Sequence, residues 1–228
     1  MSDPHLKSQM STSNPRDISD SYDRWAASYD ADQNKTRDMA AIALRKSELQ
    51  LEGRQLLEIG CGTGVNTEWL IKCGGAVTAV DFSEEMLRLA RARVHSPNAR
   101  FLKHDIRSVW PFDDRSFDVV VAMLVLEHIE SLGPVFEEAT RVIRPGGMFF
   151  FSELHPARQH AGRQAEFVSP GTAKPERITA FLHDVSEYLN AGLAAGFELV
   201  SVGEWRDDSA HRSDRPRVLS VVLGAKPF

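Results

Sequence analysis

The sequence has few cysteines and no long apolar run. Its two cysteines, Cys61 and Cys73, are too few for a disulfide framework and lack the spacing of a zinc site. We therefore expect reduced thiols in a cytoplasmic protein. The longest apolar run, residues 119–126, is too short to span a bilayer, and residues 1–15 lack the apolar core of a signal peptide. The sequence thus predicts no association with a membrane.

Positive charge is not in excess either. The chain carries 27 Lys and Arg residues against 32 Asp and Glu residues, for a net charge of -5. Nucleic-acid-binding proteins usually carry a basic excess that neutralises phosphates, so we expect no nucleic-acid partner. No segment repeats. The length of 228 residues suits one domain that buries its own core, as a monomer or a homodimer.

The order of apolar patterns predicts an α/β fold. Residues 1–18 are polar and predict disorder, and residues 19–228 predict a single domain that opens with two helices, at 19–30 and 35–49. From residue 55 onward strands alternate with helices, which implies a doubly wound, Rossmann-like sheet of seven mostly parallel strands with an antiparallel edge hairpin. The predicted strands are 55–59, 76–80, 99–103, 117–123, 148–153, 197–205 and 218–224, with helices at 65–73, 83–94, 134–143 and 178–195. Residues 154–177 interrupt this order and predict an irregular cap insertion after strand five.

A glycine-rich turn follows the first predicted strand. The segment runs Glu58-Ile59-Gly60-Cys61-Gly62-Thr63-Gly64, and glycine at such a turn lets the backbone approach a ligand closely. Asp81 ends the second strand, where nucleotide-binding folds place an acid for ribose hydroxyls. Asp105 follows the third strand, so all these groups lie at carboxyl ends of strands, where open α/β sheets bind ligands.

These segments resemble the class I S-adenosylmethionine-dependent methyltransferase family, and more narrowly its small bacterial members that act on metabolites. The matching segments occur in the family's order, at residues 22–30, 57–64, 80–87, 117–128 and 142–147. The resemblance is good from residue 22 to 153 and weak beyond. It implies a methyltransferase of specialised metabolism that moves the methyl group of S-adenosylmethionine to an O, N or C nucleophile of a small molecule by in-line displacement, releasing S-adenosylhomocysteine.

The resemblance also implies a cofactor site. The three glycines of the turn would lie beneath the methionyl group, and residues 19–50 would form a helical lid over the cofactor. Asp81 would bind the ribose and Asp105 the adenine amino group. The implied cofactor-binding residues are Tyr22, Tyr29, Glu58, Gly60, Gly62, Gly64, Asp81, Phe82, Met86, Asp105, Ile106, Ala122 and Met123.

Titratable side chains past strands four and five and on the last predicted helix are candidate catalytic groups. Histidine is the best general base near neutral pH, and a base is needed only when the nucleophile must lose a proton. Each candidate has a structural role as its alternative, because a histidine can also cap a turn or hydrogen-bond within the fold. Basic residues of the insertion could bind an anionic acceptor or form a solvated lid. The candidate catalytic residues are His128, Glu153, His155 and His183, and no metal site is expected.

Other functions remain open. A nicotinamide dehydrogenase usually has a glycine where this chain has Val65, which argues against that class. A macromolecule methyltransferase would need a docking surface, and the sequence shows no basic stripe. An enzyme that cyclises S-adenosylmethionine itself, releasing methylthioadenosine, would carry the same cofactor motifs. A non-enzymatic cofactor-binding regulator is disfavoured by the titratable groups around the pocket.

Overall fold

The computed structural model describes residues 15–168, 175–207, 211 and 214–227. Its helices are α1 (Pro15–Trp25), α2 (Lys35–Arg45), α3 (Val65–Lys72), α4 (Glu84–Arg93), α5 (Leu132–Val142), α6 (Pro156–Gln159) and α7 (Val185–Ala194). Its strands are β1 (Gln55–Ile59), β2 (Ala76–Asp81), β3 (Ala99–Lys103), β4 (Phe117–Met123), β5 (Ile143–Leu154), β6 (Glu166–Val168), β7 (Pro175–Arg177), β8 (Phe197–Trp205) and β9 (Val218–Ala225). A short 3-10 helix, Leu126–His128, follows β4.

Across the described residues, seven strands form one sheet in the order β3-β2-β1-β4-β5-β9-β8. The first five strands pair in parallel, whereas β9 runs antiparallel to both β5 and β8. The order reverses direction between β1 and β4, so the crevice at their carboxyl ends is where an open sheet binds ligands. The predicted Rossmann-like, mostly parallel sheet with an antiparallel edge hairpin is confirmed.

Helices cover both faces of the sheet because the central strands are apolar on both faces. In β1, Leu57 and Ile59 face a core that contains Phe136 of α5 and Tyr188 of α7. Leu56 belongs to the core on the opposite face, with residues of α2, α3 and α4. Because successive side chains of a strand point to opposite faces of the sheet, neighbouring residues of β1 belong to two separate cores.

The first and last helices differ from their predicted bounds. Residues 1–14 of the segment predicted to be disordered lie outside the described residues, and α1 begins at Pro15, ahead of the predicted start. The helix predicted at 178–195 begins only at Val185, because the side chain of Asp184 caps the backbone of Glu187 and Glu187 caps Asp184 in return. Residues ahead of this capping box are not helical.

The insertion after β5 contains regular structure. It holds α6 and a two-stranded antiparallel hairpin of β6 and β7, so the prediction of an irregular segment was wrong for these residues. Phe167 of β6 stacks on Trp25 of α1, with ring centroids 5.3 Å apart. The cap and the N-terminal helix thus pack against each other above the sheet crevice.

Candidate functional site

The glycine turn at the end of β1 is built from left-handed backbone. The φ angles of Gly60, Gly62 and Gly64 are +70°, +53° and +79°, a region in which other residues are strained. A Cβ atom on Gly60 would lie 2.7 Å from a methyl carbon of Val125, whereas a Cβ atom on Gly62 would meet nothing within 4 Å. Gly60 therefore allows close packing of the turn, and Gly62 keeps open the space in front of it.

A cleft lies above this turn, at the carboxyl ends of the parallel strands. It is enclosed from above by side chains of α1 and the segment that follows it. The predicted site residues in its lining are Tyr22, Tyr29, Gly60, Gly62, Asp81, Phe82, Met86, Asp105, Ile106, Met123 and His128. The lining residues that were not predicted are Ile18, His104, Arg107, Leu124, Val125 and Ile129.

Asp81 is the buried acid of this cleft. Its two carboxylate oxygens accept hydrogen bonds from the backbone N–H groups of Gly62, at 2.8 Å, and Ser83, at 2.9 Å. Burial raises the pKa of Asp81 to about 6, against the lowering effect of these hydrogen bonds. A carboxylate oxygen has two lone pairs, so each oxygen can accept one further donor from the cleft.

Asp105 lies farther along the cleft and is partly exposed. The guanidinium of Arg107 donates to both of its oxygens, with Nε at 2.8 Å from Oδ1. Partial burial alone would raise the pKa of Asp105, but the hydrogen bonds from Arg107 outweigh it and hold the pKa below its usual range. The sequence prediction missed Arg107, although its position two residues after Asp105 is a signal for such a local pair.

Three of the implied cofactor residues do not line this cleft. Glu58 is enclosed and accepts a hydrogen bond from the Thr67 hydroxyl of α3, and burial raises its pKa to about 8. Gly64 is the N-cap of α3, where a Cβ atom would lie 3.0 Å from Ala90. Ala122 is buried in β4 opposite Ile59 of β1. These residues support the turn and the sheet below the cleft.

His128 connects the N-terminal helix to the loop after β4. Its Nδ1 atom lies 2.6 Å from the carbonyl oxygen of Thr179, which can only accept, so Nδ1 carries the proton. Its Nε2 atom then accepts from the Tyr22 hydroxyl at 2.8 Å. This pair of hydrogen bonds fastens α1 across the mouth of the cleft.

Removing the Tyr22 hydroxyl is expected to weaken this closure. Tyr22→Phe leaves the buried Nε2 of His128 without its donor, at a cost of about 1 kcal/mol, so we expect S-adenosylhomocysteine to bind about 5-fold more weakly by calorimetric titration. Tyr188→Phe is the matched control, because the Tyr188 hydroxyl is buried with no hydrogen-bond partner among the described residues. Equal affinities of the two variants would contradict the closure role of Tyr22.

The other three candidate catalytic residues do not line this cleft. Glu153 accepts hydrogen bonds from the backbone N–H groups of residues 125–127 and is fully buried. His155 caps α6 by accepting from Ala157. His183 donates to the carbonyl oxygen of Ile129 at 2.7 Å and precedes α7 instead of lying on it. Glu153 and His183 therefore order the loop after β4, and His155 orders the start of α6.

The buried carboxyl of Glu153 makes stability depend on pH. Burial, and next the neighbouring carboxyl of Glu127, raise the pKa of Glu153 to about 8. Between the usual glutamate pKa and this value the folded chain binds a proton that the unfolded chain releases, so stability falls as pH rises through this window. The contribution is at most about 1.4 kcal/mol for each pH unit.

Glu153→Gln imitates the protonated acid, and we therefore expect its melting temperature to fall less than that of the wild type between pH 6 and pH 8. Thermal denaturation followed by circular dichroism measures this difference. Glu198→Gln, an exposed change on β8, is the control and should follow the wild-type curve. Parallel curves for Glu153→Gln and the wild type would show that Glu153 is ionised in the folded protein.

A second cavity adjoins the cleft. The two share Tyr22, Tyr29 and Leu124, so the N-terminal segment and the loop after β4 separate them. The second cavity is otherwise lined by Trp25, Asn34, Thr36, Glu127, Leu154, Arg158, Arg163, Gln164, Ala165, Glu166 and Arg217. It is therefore a polar chamber between the N-terminal helices and the cap. The described residues include no group of three His, Cys, Asp or Glu side chains that could hold a metal ion.

Known proteins resemble this chain in sequence. A family model described as a methyltransferase domain matches residues 57–151. An uncharacterized methyltransferase of Emericella nidulans is 30% identical over 79% of this chain and 76% of its own length. A ubiquinone biosynthesis O-methyltransferase of Hydrogenovibrio crunogenus is 32% identical over 50% of this chain, and this chain spans only 48% of that enzyme.

Solved structures share the fold. An S-adenosylmethionine-dependent methyltransferase from Mesorhizobium loti superimposes with a TM-score of 0.70, at 25% identity, over 82% of this chain and 99% of its own. The [4+2]-cyclase SpnF superimposes with a TM-score of 0.71 over 97% of this chain and 100% of its own, but at 18% identity it shows the fold alone. The sequence relatives and the cleft at the switch point of the sheet agree, and the chain belongs to the class I S-adenosylmethionine-dependent methyltransferase family.

Proposed function

We propose that this methyltransferase acts on a small-molecule acceptor and methylates it by in-line displacement. The observation that carries the proposal is the second cavity, which adjoins the cofactor cleft along Tyr22, Tyr29 and Leu124. In this chamber an acceptor lies between the N-terminal helices and the cap, next to the cofactor cleft. Such positioning supplies much of the catalysis in methyl transfer, because the cofactor is already activated.

The residues of the cleft fit S-adenosylmethionine. The carboxylate of Asp81 offers acceptors for the ribose hydroxyls, and the space in front of Gly62 admits the methionyl group. The apolar side chains of Phe82, Met86 and Ile106 offer a slot for the adenine ring. When bound, the cofactor supplies an electrophilic methyl carbon. We propose these roles for the residues that line the cleft.

We also propose that the enzyme works in the cytoplasm. The two cysteines are unpaired, which suits a reducing compartment. None of the helices within the described ranges is long and apolar enough to cross a membrane.

Two other functions use the same cleft. An enzyme that cyclises its cofactor needs no second chamber, so the volume next to the cleft favours a separate acceptor. A macromolecule methyltransferase needs its target to reach the methyl group from outside, whereas the second cavity lies between the N-terminal helices and the cap. The [4+2]-cyclase SpnF shares the fold, which keeps a non-methyltransferase reaction as the second candidate.

Mass spectrometry of the reaction products separates these functions. The protein is incubated with S-adenosylmethionine alone, with an ultrafiltered metabolite extract, and with the macromolecules that the filter retains. S-adenosylhomocysteine formed only with the filtered extract supports the proposal, and a metabolite heavier by one methylene identifies the acceptor. Methylthioadenosine formed without extract, or turnover only with the retained macromolecules, would overturn it. Asp81→Ala, which lacks the carboxylate proposed to bind the ribose, is the control and should form no product.

A further inference from the structure

The second cavity is rich in guanidinium groups. Arg158, Arg163 and Arg217 line it. Arg158 and Arg217 share one carboxylate, that of Asp207, at 3.2 Å from Arg158 Nη2 and 2.7 Å from Arg217 Nη2. Arg163 makes no ion pair with any residue that the structure describes. Of the two carboxyl groups in the lining, Glu127 is buried and Glu166 pairs with Arg177 outside the lining, so no described carboxylate holds Arg163, which favours an anionic ligand.

The same cavity contains one deeply buried carboxyl group. Glu127, in the 3-10 helix after β4, is 4% exposed and lines the cavity. Its Oε2 atom accepts a single side-chain hydrogen bond, from the Gln159 amide at 3.1 Å. No lysine or arginine of the described ranges pairs with it. Burying a carboxyl group without a cation partner costs free energy, and such groups are concentrated at functional sites.

The groups that face Glu127 come from four elements besides its own. They are Tyr22 of α1, Glu153 of β5, Gln159 of α6 and Tyr188 of α7, with His128 beside it in the chain. Burial raises the pKa of Glu127 above its usual range, and the neighbouring His128 and Gln159 oppose that shift. A carboxyl shifted upward is a stronger base than an exposed one and suits proton abstraction near neutral pH.

His128, the predicted base, is not available for this task. Its Nδ1 proton is donated to Thr179, and its Nε2 lone pair already accepts the Tyr22 hydroxyl proton. It also lines the cofactor cleft and does not line the second cavity. Of the two carboxyl groups that line the second cavity, Glu166 is exposed and pairs with Arg177, so the buried Glu127 is the candidate proton acceptor.

We propose that the second cavity takes a small organic anion that carries a protic O–H or N–H nucleophile, with Arg163, Arg158 and Arg217 binding its anionic group and Glu127 removing the nucleophile's proton. The inference rests on the proposed methyl transfer. The acceptor oxygen or nitrogen forms a bond to the methyl carbon, and the carbon–sulfur bond breaks with its electron pair going to sulfur. The proton of the nucleophile passes to the Glu127 carboxylate, so charge and atoms balance.

Fractionation tests the anionic class. The filtered extract is passed over an anion-exchange column at pH 8, and the retained and unretained fractions are each incubated with enzyme and S-adenosylmethionine. We expect S-adenosylhomocysteine only with the retained, anionic fraction. Turnover with only the unretained fraction overturns the inference and leaves the proposed function standing. Turnover with neither fraction removes the proposed function and the inference with it.

The active fraction then tests the residues. Glu127→Gln keeps the shape and the contact with Gln159, and we expect its turnover to fall about 100-fold or more with unchanged S-adenosylhomocysteine binding. Its remaining activity should lose the acidic limb of the wild-type pH profile. Glu137→Gln, an exposed change on α5, is the matched control and should keep full activity. A Glu127→Gln enzyme with wild-type turnover and pH profile overturns the base assignment.

A separate measurement, the KM of an arginine variant, tests the contact with the anionic group. Arg163→Ala is expected to raise the KM for the active fraction at least about 10-fold with little change in kcat, because the guanidinium binds a remote group. Arg88→Ala on α4, away from both cavities, is the control. An unchanged KM for Arg163→Ala would overturn the role of this arginine. A wild-type melting temperature of the variant excludes misfolding as the cause of a raised KM.

Discussion

Replacing Asp81 with asparagine is expected to weaken S-adenosylmethionine binding by about 100-fold or more. The carboxylate already accepts N–H groups from Gly62 and Ser83, and in the proposed complex it also accepts two ribose hydroxyls. Each hydrogen bond to a charged group contributes about 1.5–3 kcal/mol, and 1.4 kcal/mol is a tenfold change in affinity. Asparagine also points one N–H₂ group at a backbone donor, which loosens the glycine turn. Calorimetric titration with S-adenosylhomocysteine measures the loss.

The pH dependence of binding gives a second readout of the same residue. Because the pKa of Asp81 is raised to about 6, the wild type should bind about 10-fold more weakly at pH 5 than at pH 7.5 as the carboxylate takes up a proton. Asp81→Asn should show no such step. Asp105→Asn is the control, since Arg107 already occupies that carboxylate, and we expect a loss of no more than about 10-fold. A larger loss for Asp105→Asn than for Asp81→Asn would reverse the proposed roles.

Local patterns in the sequence were sufficient to predict the sheet and the floor of the cleft. The run Phe117–Met123 is apolar on both faces, and this alone indicates a strand between two helical layers. Gly60, Gly62 and Asp81 follow strands whose carboxyl ends must meet at one edge of a parallel sheet, so their proximity follows from the order of elements. Their placement in the cleft needed no knowledge of distant contacts.

The sequence could not show what the catalytic candidates contact, because their partners are distant in sequence. The hydrogen bond between His183 and the Ile129 carbonyl, and the enclosure of Glu153 by N–H groups of the loop after β4, arise only when the chain is folded. Position after a strand therefore could not separate a structural acid from one that faces a cavity. Glu127 lies next to the predicted His128, yet its exposure to the second cavity depends on where the cap packs.

A comparison of three glycine-to-alanine variants should separate the structural and the ligand-binding functions of the turn. Gly60, Gly62 and Gly53 all have left-handed φ angles, so alanine costs about 1–2 kcal/mol of stability at each. At Gly60 the new Cβ atom also collides with Val125, and overpacking adds about 1–3 kcal/mol. We therefore expect Gly60→Ala to be the least stable of the three by urea denaturation.

Gly62→Ala should instead match Gly53→Ala in stability, because a Cβ atom meets nothing within 4 Å at either position. The two should differ in binding: only the Cβ atom at Gly62 enters the cofactor cleft, since Gly53 lies in the turn before β1. We expect Gly62→Ala to bind S-adenosylhomocysteine at least about 10-fold more weakly, while Gly53→Ala binds like the wild type. Wild-type affinity in Gly62→Ala would mean that the methionyl group does not pass in front of this glycine, and the position of the cofactor in the cleft would have to be revised.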